Sequence, residues 1–423
     1  MGVAVGVVGG VFRWCLLQAD DLRDSLITWS HRWPHAGWLV PVAVAMAATA
    51  LARYLVIRFA PEAGGSGIQR VEAIMAHEVG PSPKRLLPVK FFGGILSLGS
   101  GMALGREGPT VQIGASIAHY IAPRLVSGKD DERVVLAAGS GAGLAVAFNA
   151  PIGGSIFVFE ELTSQFTPWL LLCTLGAAGF AIAAMRTILG NHLDFAVPPG
   201  VTPPQGLVWL LLSLGALLGI AGVFYNWLML VLLRFSDRFP RFPSTLHAGM
   251  IGGLVGLIAW FSPSVVGGGE TLAQSIFSNR LPLFSLCLIF ALRFLLGPLC
   301  YSAETPGGMF APMLFVGSAF GALFGGVAHH FSLATGVTIV DFAVIGMAGL
   351  FAASVRAPIT GMALTIEMTG RADLTLGMLV AAFGAVLLAM LMKSEPIYES
   401  LRERMLRHQL VPTQLGAAAG GDR

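Results

Sequence analysis

Three short glycine-rich segments of the sequence could bind an anion through backbone N–H groups: 64–68, 105–109 and 307–312. Each opens a stretch with helical or apolar character. The first turn of a helix has unpaired N–H groups and the positive end of the helix dipole, so it can bind an anion without Lys or Arg. Each segment alone is more often a packing glycine or a helix cap. Together they predict a path for a small anion such as a halide or nitrate.

Acidic residues inside apolar runs are the second signal. Glu107 lies within the second glycine segment, whereas Glu160, Glu161 and Glu367 each end an apolar stretch. A carboxylate at the centre of a membrane span is unfavourable by roughly 2.5–3.5 kcal/mol. Beside an anion site, an ionised Glu107 would compete with the anion and a protonated one would admit it, so it is a candidate gate and proton carrier. The other three acids are equally compatible with water-exposed helix ends.

Four further residues lie at breaks or ends of the apolar runs. Arg106 and Arg356 could attract anions, although pairing with a carboxylate is the commoner role. Phe310 is either a core residue or a ring that lines a pore. Tyr398, just after the last apolar run, reads from sequence alone as an interfacial aromatic residue.

The amino-acid composition indicates the class of protein to which these residues belong. Of 423 residues, 55% are hydrophobic and 12% charged, with a mean hydropathy of +0.75. Soluble domains carry about twice that charge, so an ordinary soluble enzyme and a disordered chain are excluded. The net charge of +3 without a basic stripe gives no indication of nucleic-acid binding. We expect an all-α polytopic membrane protein, with no removable signal peptide and a lipid bilayer as its surroundings.

The sequence contains no motif typical of a metal site or of an intramembrane protease. The four cysteines form no CxxC pair and the nine histidines no HExxH motif, so neither a metal site nor a cofactor is expected. We also find no convincing Ser/His or paired-Asp constellation for an intramembrane protease.

Short apolar runs and an internal repeat refine the architecture. Several runs of 10–16 residues are too short to cross a membrane of about 30 Å as straight helices, and Gly and Pro interrupt them. Three matches recur in order, with offsets of 202, 203 and 207: residues 65–67 with 267–269, 105–109 with 308–312, and 150–160 with 357–367. The chain therefore reads as two halves of one architecture, about 1–200 and 201–410, followed by a short tail, 411–423. Clustered Arg402, Arg404 and Arg407 predict that this end is cytoplasmic.

The motifs resemble those of the CLC family of chloride channels and transporters. They are GSGI at 65–68, GREGP at 105–109, FNAP at 148–151 followed by Glu160 and Glu161, GGMFAP at 307–312, VRAPxxG at 355–361 with Glu367, and PIY at 396–398. The resemblance covers about residues 2–410. It implies a homodimer with one ion path per subunit, built from inverted halves of tilted, broken helices, in a bacterial inner membrane.

The resemblance also implies roles for individual residues. Ser66 and Tyr398 would donate hydroxyls to a central chloride, and the backbone N–H groups of Met309 and Phe310 would complete that site. Glu107 would be the external gate and Glu161 the internal proton-transfer residue. The full expected anion-binding set is Gly65, Ser66, Gly67, Ile68, Arg106, Gly108, Met309, Phe310 and Tyr398.

An acid at position 161 favours proton-coupled chloride exchange, with a passive gated chloride channel as the alternative. Two departures from the family pattern matter. Gln69 stands where the family usually has Pro, which bears on the rigidity of the helix start and on anion selectivity. The chain also lacks the C-terminal CBS pair of many relatives, so nucleotide regulation through it is not expected.

Overall fold

The computed structural model describes residues 1–33, 35–200, 202–239, 241–278, 281–334 and 336–419, and in these ranges the chain is helical with short connections. The helices α1 to α17 are, in order, Gly2–Ser30, Leu39–Phe59, Ile68–Met75, Leu86–Gly99, Glu107–Leu125, Lys129–Phe148, Pro151–Phe157, Pro168–Leu189, Val208–Asp237, Ser244–Phe261, Glu270–Phe277, Leu283–Tyr301, Phe310–His330, Ile339–Val355, Pro358–Thr369, Thr375–Leu391 and Ile397–Ala419. A π-helical turn, Val158–Leu162, continues α7.

The long apolar helices confirm a polytopic membrane protein. Among the described residues, 8 helices are long and apolar enough to cross a membrane: α1, α2, α8, α9, α10, α12, α13 and α16. By contrast α3 and α11 have 8 residues each and α7 has 7, far short of the roughly 20 that a span needs. These short helices are the broken elements that the Gly and Pro interruptions predict.

The order of the helices repeats. Helices α1–α8 correspond in sequence to α9–α16, and α17 follows as an additional element. Equivalent pairs pack alike: α1 on α8 and α5 on α6 in the first half, α9 on α16 and α13 on α14 in the second. Glycine permits the close crossings, because a Cβ on Gly114 would lie 2.2 Å from the Gly139 carbonyl oxygen, and one on Gly317 would lie 2.4 Å from that of Gly346.

The two halves cap each other's helices. The Glu160 carboxylate, after α7, accepts hydrogen bonds from the N–H groups of Ile359 and Thr360 at the start of α15. Glu367, near the end of α15, accepts in the same way from Ile152 and Gly153 at the start of α7. Since each acid reaches the other helix's first turn, α7 and α15 run antiparallel, as an inverted repeat requires. Glu160 and Glu367 are thus helix caps between the halves, and both remain partly exposed at their helix ends.

The predicted tail, 411–423, lies partly outside the described residues. Helix α17 continues through Ala419, and residues 420–423 are not among those described.

Candidate functional site

The N-termini of α3, α5 and α13 meet inside the protein. Gly105 and Gly308 exchange backbone hydrogen bonds of 2.8 and 2.7 Å, and the Gly65 and Gly307 segments are joined by a further bond of 3.1 Å. A Cβ on Gly108 would lie 2.4 Å from the Ser66 Oγ, so α5 begins directly against the Ser66 loop. The structure therefore brings together the three glycine segments that the sequence singled out.

The loop before α3 is held in place by hydrogen bonds of its main chain. Gly65 and Gly67 have φ values of 63° and 89°, which glycine adopts without strain. The Gly65 carbonyl accepts from the Lys90 Nζ at 2.7 Å and from the Gly307 N–H at 3.1 Å. Because its own N–H donates to the Thr305 carbonyl, Gly65 contributes conformation here rather than a free donor. Ile68 is buried as the first residue of α3.

Two hydroxyls without partners lie at the same place. Ser66 and Tyr398 are both fully buried, and neither hydroxyl has a hydrogen-bond partner among the described residues. The Ser66 side chain is close enough to interact with the Tyr398 hydroxyl. A buried polar group without a partner is unfavourable by about 1–3 kcal/mol, so the pair is suited to a ligand that accepts hydrogen bonds. The burial also overturns the interpretation of Tyr398 as an interfacial residue.

Glu107 lies across the N-terminal end of α13. Its side chain is fully buried, and its Oε1 accepts from the Ala311 N–H at 3.0 Å. The Oε2 has no hydrogen-bond partner within the described ranges. The carboxylate thus occupies a helix N-terminus that a free anion could otherwise bind.

Met309 and Phe310 form the start of α13. Met309 is the N-cap residue, and the buried Phe310 ring makes edge contacts with Phe157, Phe351 and Tyr398 at centroid distances of 5.7, 4.7 and 5.5 Å. The Phe310 ring therefore packs beside Tyr398 in an aromatic cluster adjoining the site.

The two arginines at breaks have different partners. Arg106 points away from the meeting point, to the Ala147 carbonyl and to Asp194 and Glu270, so it pairs with carboxylates as the sequence suggests. Arg356 instead donates to the carbonyls of Val386 and Ser394. Carboxylate pairing is thus wrong for Arg356, which anchors the chain ahead of Tyr398.

Glu161 lies in the π-helical turn, apart from Glu107. The acids whose charges act on it are Glu72, Glu160 and Glu399. Tyr398 is within electrostatic reach of both Glu161 and Glu107. Both acids are therefore near the hydroxyl of Tyr398.

Sequence reasoning missed a buried cation in each half. Lys90 donates to the carbonyls of Ala63 and Gly65, and Arg293, 203 positions later, donates to those of Val265 and Gly267. Each cation holds the turn ahead of an eight-residue helix. Extending the repeat comparison to lone cations in apolar runs would have found the pair.

The fold and the meeting helix ends define a polytopic membrane protein with an ion site made from backbone. A family model described as voltage gated chloride channel matches residues 48–390. The chain belongs to this family, the one that its motifs resemble.

Similar proteins agree with this assignment. The chain is 38% identical over 421 residues to the H(+)/Cl(-) exchange transporter ClcA of Vibrio cholerae, covering 98% of this chain and 90% of that protein. It is 39% identical over 423 residues to the ClcA of Vibrio parahaemolyticus, with the same coverage. A crystal structure of a slow cyanobacterial Cl-/H+ antiporter superposes with a TM-score of 0.90 at 32% identity, covering 96% of this chain and 97% of that one. A eukaryotic CLC transporter at 21% identity shares the fold, with a TM-score of 0.81.

Proposed function

We propose that the protein exchanges chloride for protons across the membrane. The observation that carries this proposal is the Glu107 carboxylate on the first turn of α13, where an anion would bind. The relatives described as H(+)/Cl(-) exchange transporters, 38% and 39% identical, support exchange over passive conduction.

Glu107 supplies the coupling in this proposal. While it is ionised, the N-terminus of α13 stabilises its negative charge and the carboxylate excludes chloride. Protonation removes that charge, so the side chain is held less strongly and chloride can take its place. Chloride would then be bound by the hydroxyls of Ser66 and Tyr398 and by the N–H groups of Met309 and Phe310. One side chain thereby ties each proton taken up to a change in anion occupancy.

Glu161 would deliver protons from the other side. It is joined by Glu72 and Glu399, whose charges act on it. A passive channel has no need of an acid there, so Glu161 is the residue that distinguishes the two functions. We further propose that the protein works as a homodimer in a bacterial cell membrane, which rests on the family resemblance.

Substitution of two adjacent acids, Glu161 and Glu160, tests the proposed proton coupling. Purified E161Q in liposomes should move chloride while its proton flux falls to background. E160Q is the matched control, because Glu160 binds the start of α15 and is expected to alter stability rather than proton coupling. Paired chloride and proton fluxes measure both. If protons still follow chloride in E161Q, its proton role is wrong, and a wild type whose reversal potential ignores a pH gradient is a channel.

A further inference from the structure

Arg70, in the first turn of α3, is a buried arginine that makes no hydrogen bond or ion pair with the described residues. Its residue is 7% exposed. Within the described ranges its Nε is buried without a hydrogen-bond acceptor. Placing a charge in such surroundings is unfavourable unless something compensates it. Since arginine stays charged in proteins, this guanidinium presents a positive charge that no contact with the described chain neutralises.

The other buried cations of the described chain have partners. Lys90 and Arg293 each hold two backbone carbonyls. Arg106 binds Asp194 and a carbonyl, and Arg371 binds Asp341 and Asp373. Arg70 differs from all four, although it lies on the helix whose start bears on the anion site.

A cavity of about 440 Å³ lies beside Arg70 and the loop that carries Ser66. Its wall includes Arg70 together with Gly65 and Gly67, the residues on either side of Ser66. Leu401 and Arg404 of α17 also line it, so it opens on the side predicted to be cytoplasmic. The cavity thus reaches, from that side, the glycines that flank Ser66.

The other arginines of this cavity are engaged. Arg53 pairs with Glu304 at 2.6 Å, and Arg404 pairs with Glu304 at 2.9 Å and with Asp237 at 2.6 Å. Glu62 is the acid whose charge acts on Arg70. Its Oε2 is itself without a hydrogen-bond partner in the described part of the chain, so Glu62 opposes an anion there without neutralising Arg70 by contact.

We propose that Arg70 is a recruitment site for the transported anion at the cytoplasmic mouth of its path. The inference rests on the proposed function only in that a small anion must pass Ser66. The unpaired positive charge of Arg70 on this cavity wall raises the local concentration of anions and so lowers the chloride concentration needed for half-maximal transport. The effect is confined to the side on which the cavity opens.

Vesicles of defined orientation provide the test. In everted membrane vesicles, R70Q should raise the KM for cytoplasmic chloride by about threefold or more, measured as radioactive chloride uptake. In right-side-out vesicles the KM for external chloride should stay at the wild-type value. R70K retains the charge and should stay close to wild type, and E62Q should lower the cytoplasmic KM.

The outcomes separate this inference from its alternatives. An unchanged cytoplasmic KM in R70Q, or an equal shift on both sides, overturns it and leaves Arg70 a structural residue. If R70Q fails to fold, E62Q still decides the question, since a cytoplasmic KM that does not fall in E62Q contradicts the inference. A wild type that moves chloride without protons refutes exchange, yet leaves the comparison of KM values intact.

Discussion

Helices α3 and α11 occupy equivalent places in the two halves, and their first turns differ. Both begin after a glycine with positive φ, Gly67 at 89° and Gly269 at 100°. The first turn of α3 contains no acid, whereas α11 begins with Glu270. A carboxylate in the first turn stabilises the helix and repels other anions. Of these two helices, α3 is the one whose first turn carries no competing carboxylate.

The side chains around these helices are also more polar in the first half than at the equivalent positions of the second half. Gly67 is packed against Gln112, whereas Gly269 is packed against Phe315, 203 positions after Gln112. Ser66 corresponds to Gly268, and Glu107 corresponds to Phe310. The repeated backbone thus places helix N-termini at equivalent positions in the two halves. Most of the polar side chains beside these N-termini belong to the first half.

The largest effect is expected when the Glu107 carboxylate, which has no counterpart in the second half, is removed. E107Q should abolish proton coupling and make chloride flux independent of pH, because an amide cannot carry a proton through this cycle. E270Q, in the first turn of α11, is the control and should remain coupled. Paired flux measurements in liposomes decide it, and pH-dependent flux in E107Q would show that another group is the gate.

Glycines of the two halves should differ sharply in their tolerance of alanine. In G108A the new Cβ would lie 2.4 Å from the Ser66 Oγ and 2.8 Å from its Cα, so the loop must move. We expect a loss of about 3 kcal/mol in stability together with weaker chloride binding. At Gly268 the nearest atom is the Leu104 carbonyl oxygen at 3.7 Å, so G268A should be tolerated. Equal unfolding temperatures in detergent would contradict the tight meeting of α3 and α5.

A third difference lies at equivalent positions with positive φ, Gly101 at 93° and Glu304 at 50°. Burial alone would raise the pKa of Glu304, but Arg53 and Arg404 outweigh it and hold that pKa below its usual range. The ion pairs therefore stabilise the protein at neutral pH, and this contribution is lost as pH falls through the lowered pKa.

E304Q should accordingly be about 2 kcal/mol less stable than wild type near pH 7, with the difference shrinking below roughly pH 4. Unfolding measured across pH tests this. A difference that is constant with pH would assign the loss to packing rather than to charge.

The smallest expected effect is on chloride affinity, when the Ser66 hydroxyl is removed. S66A should weaken chloride binding by roughly fivefold, since one hydrogen bond contributes about 1 kcal/mol. G268S places a hydroxyl at the equivalent point of the second half and should leave the affinity unchanged. Calorimetric titration with chloride measures both, and a gain of affinity in G268S would mean that the second half also binds the ion.

Local sequence signals predicted the centre of this site well. Glycine clusters, a proline at a helix start and an acid in an apolar run each have a local physical meaning, and the repeat showed which segments correspond. The structure then placed Gly65, Ser66, Gly108 and Glu107 within one cluster.

Partners distant in sequence could not be predicted in this way. Arg356 binds the carbonyls of Val386 and Ser394, and nothing in a pattern of residue types marks a main-chain acceptor. Tyr398 needed the family resemblance, because a tyrosine after an apolar run is ordinarily interfacial. The acceptors of Lys90 and Arg293 could not be predicted for the same reason, since they too are carbonyls of distant turns.

The bonds that join Gly105 with Gly308 and Gly65 with Gly307 are made entirely by main-chain atoms. Side-chain substitutions elsewhere leave such bonds in place, provided that each glycine remains. After a duplication, the two copies could therefore accumulate different side chains without coming apart. Such main-chain contacts between the halves explain how one copy could acquire Ser66 and Glu107 while the other acquired Gly268 and Phe310 at the equivalent positions.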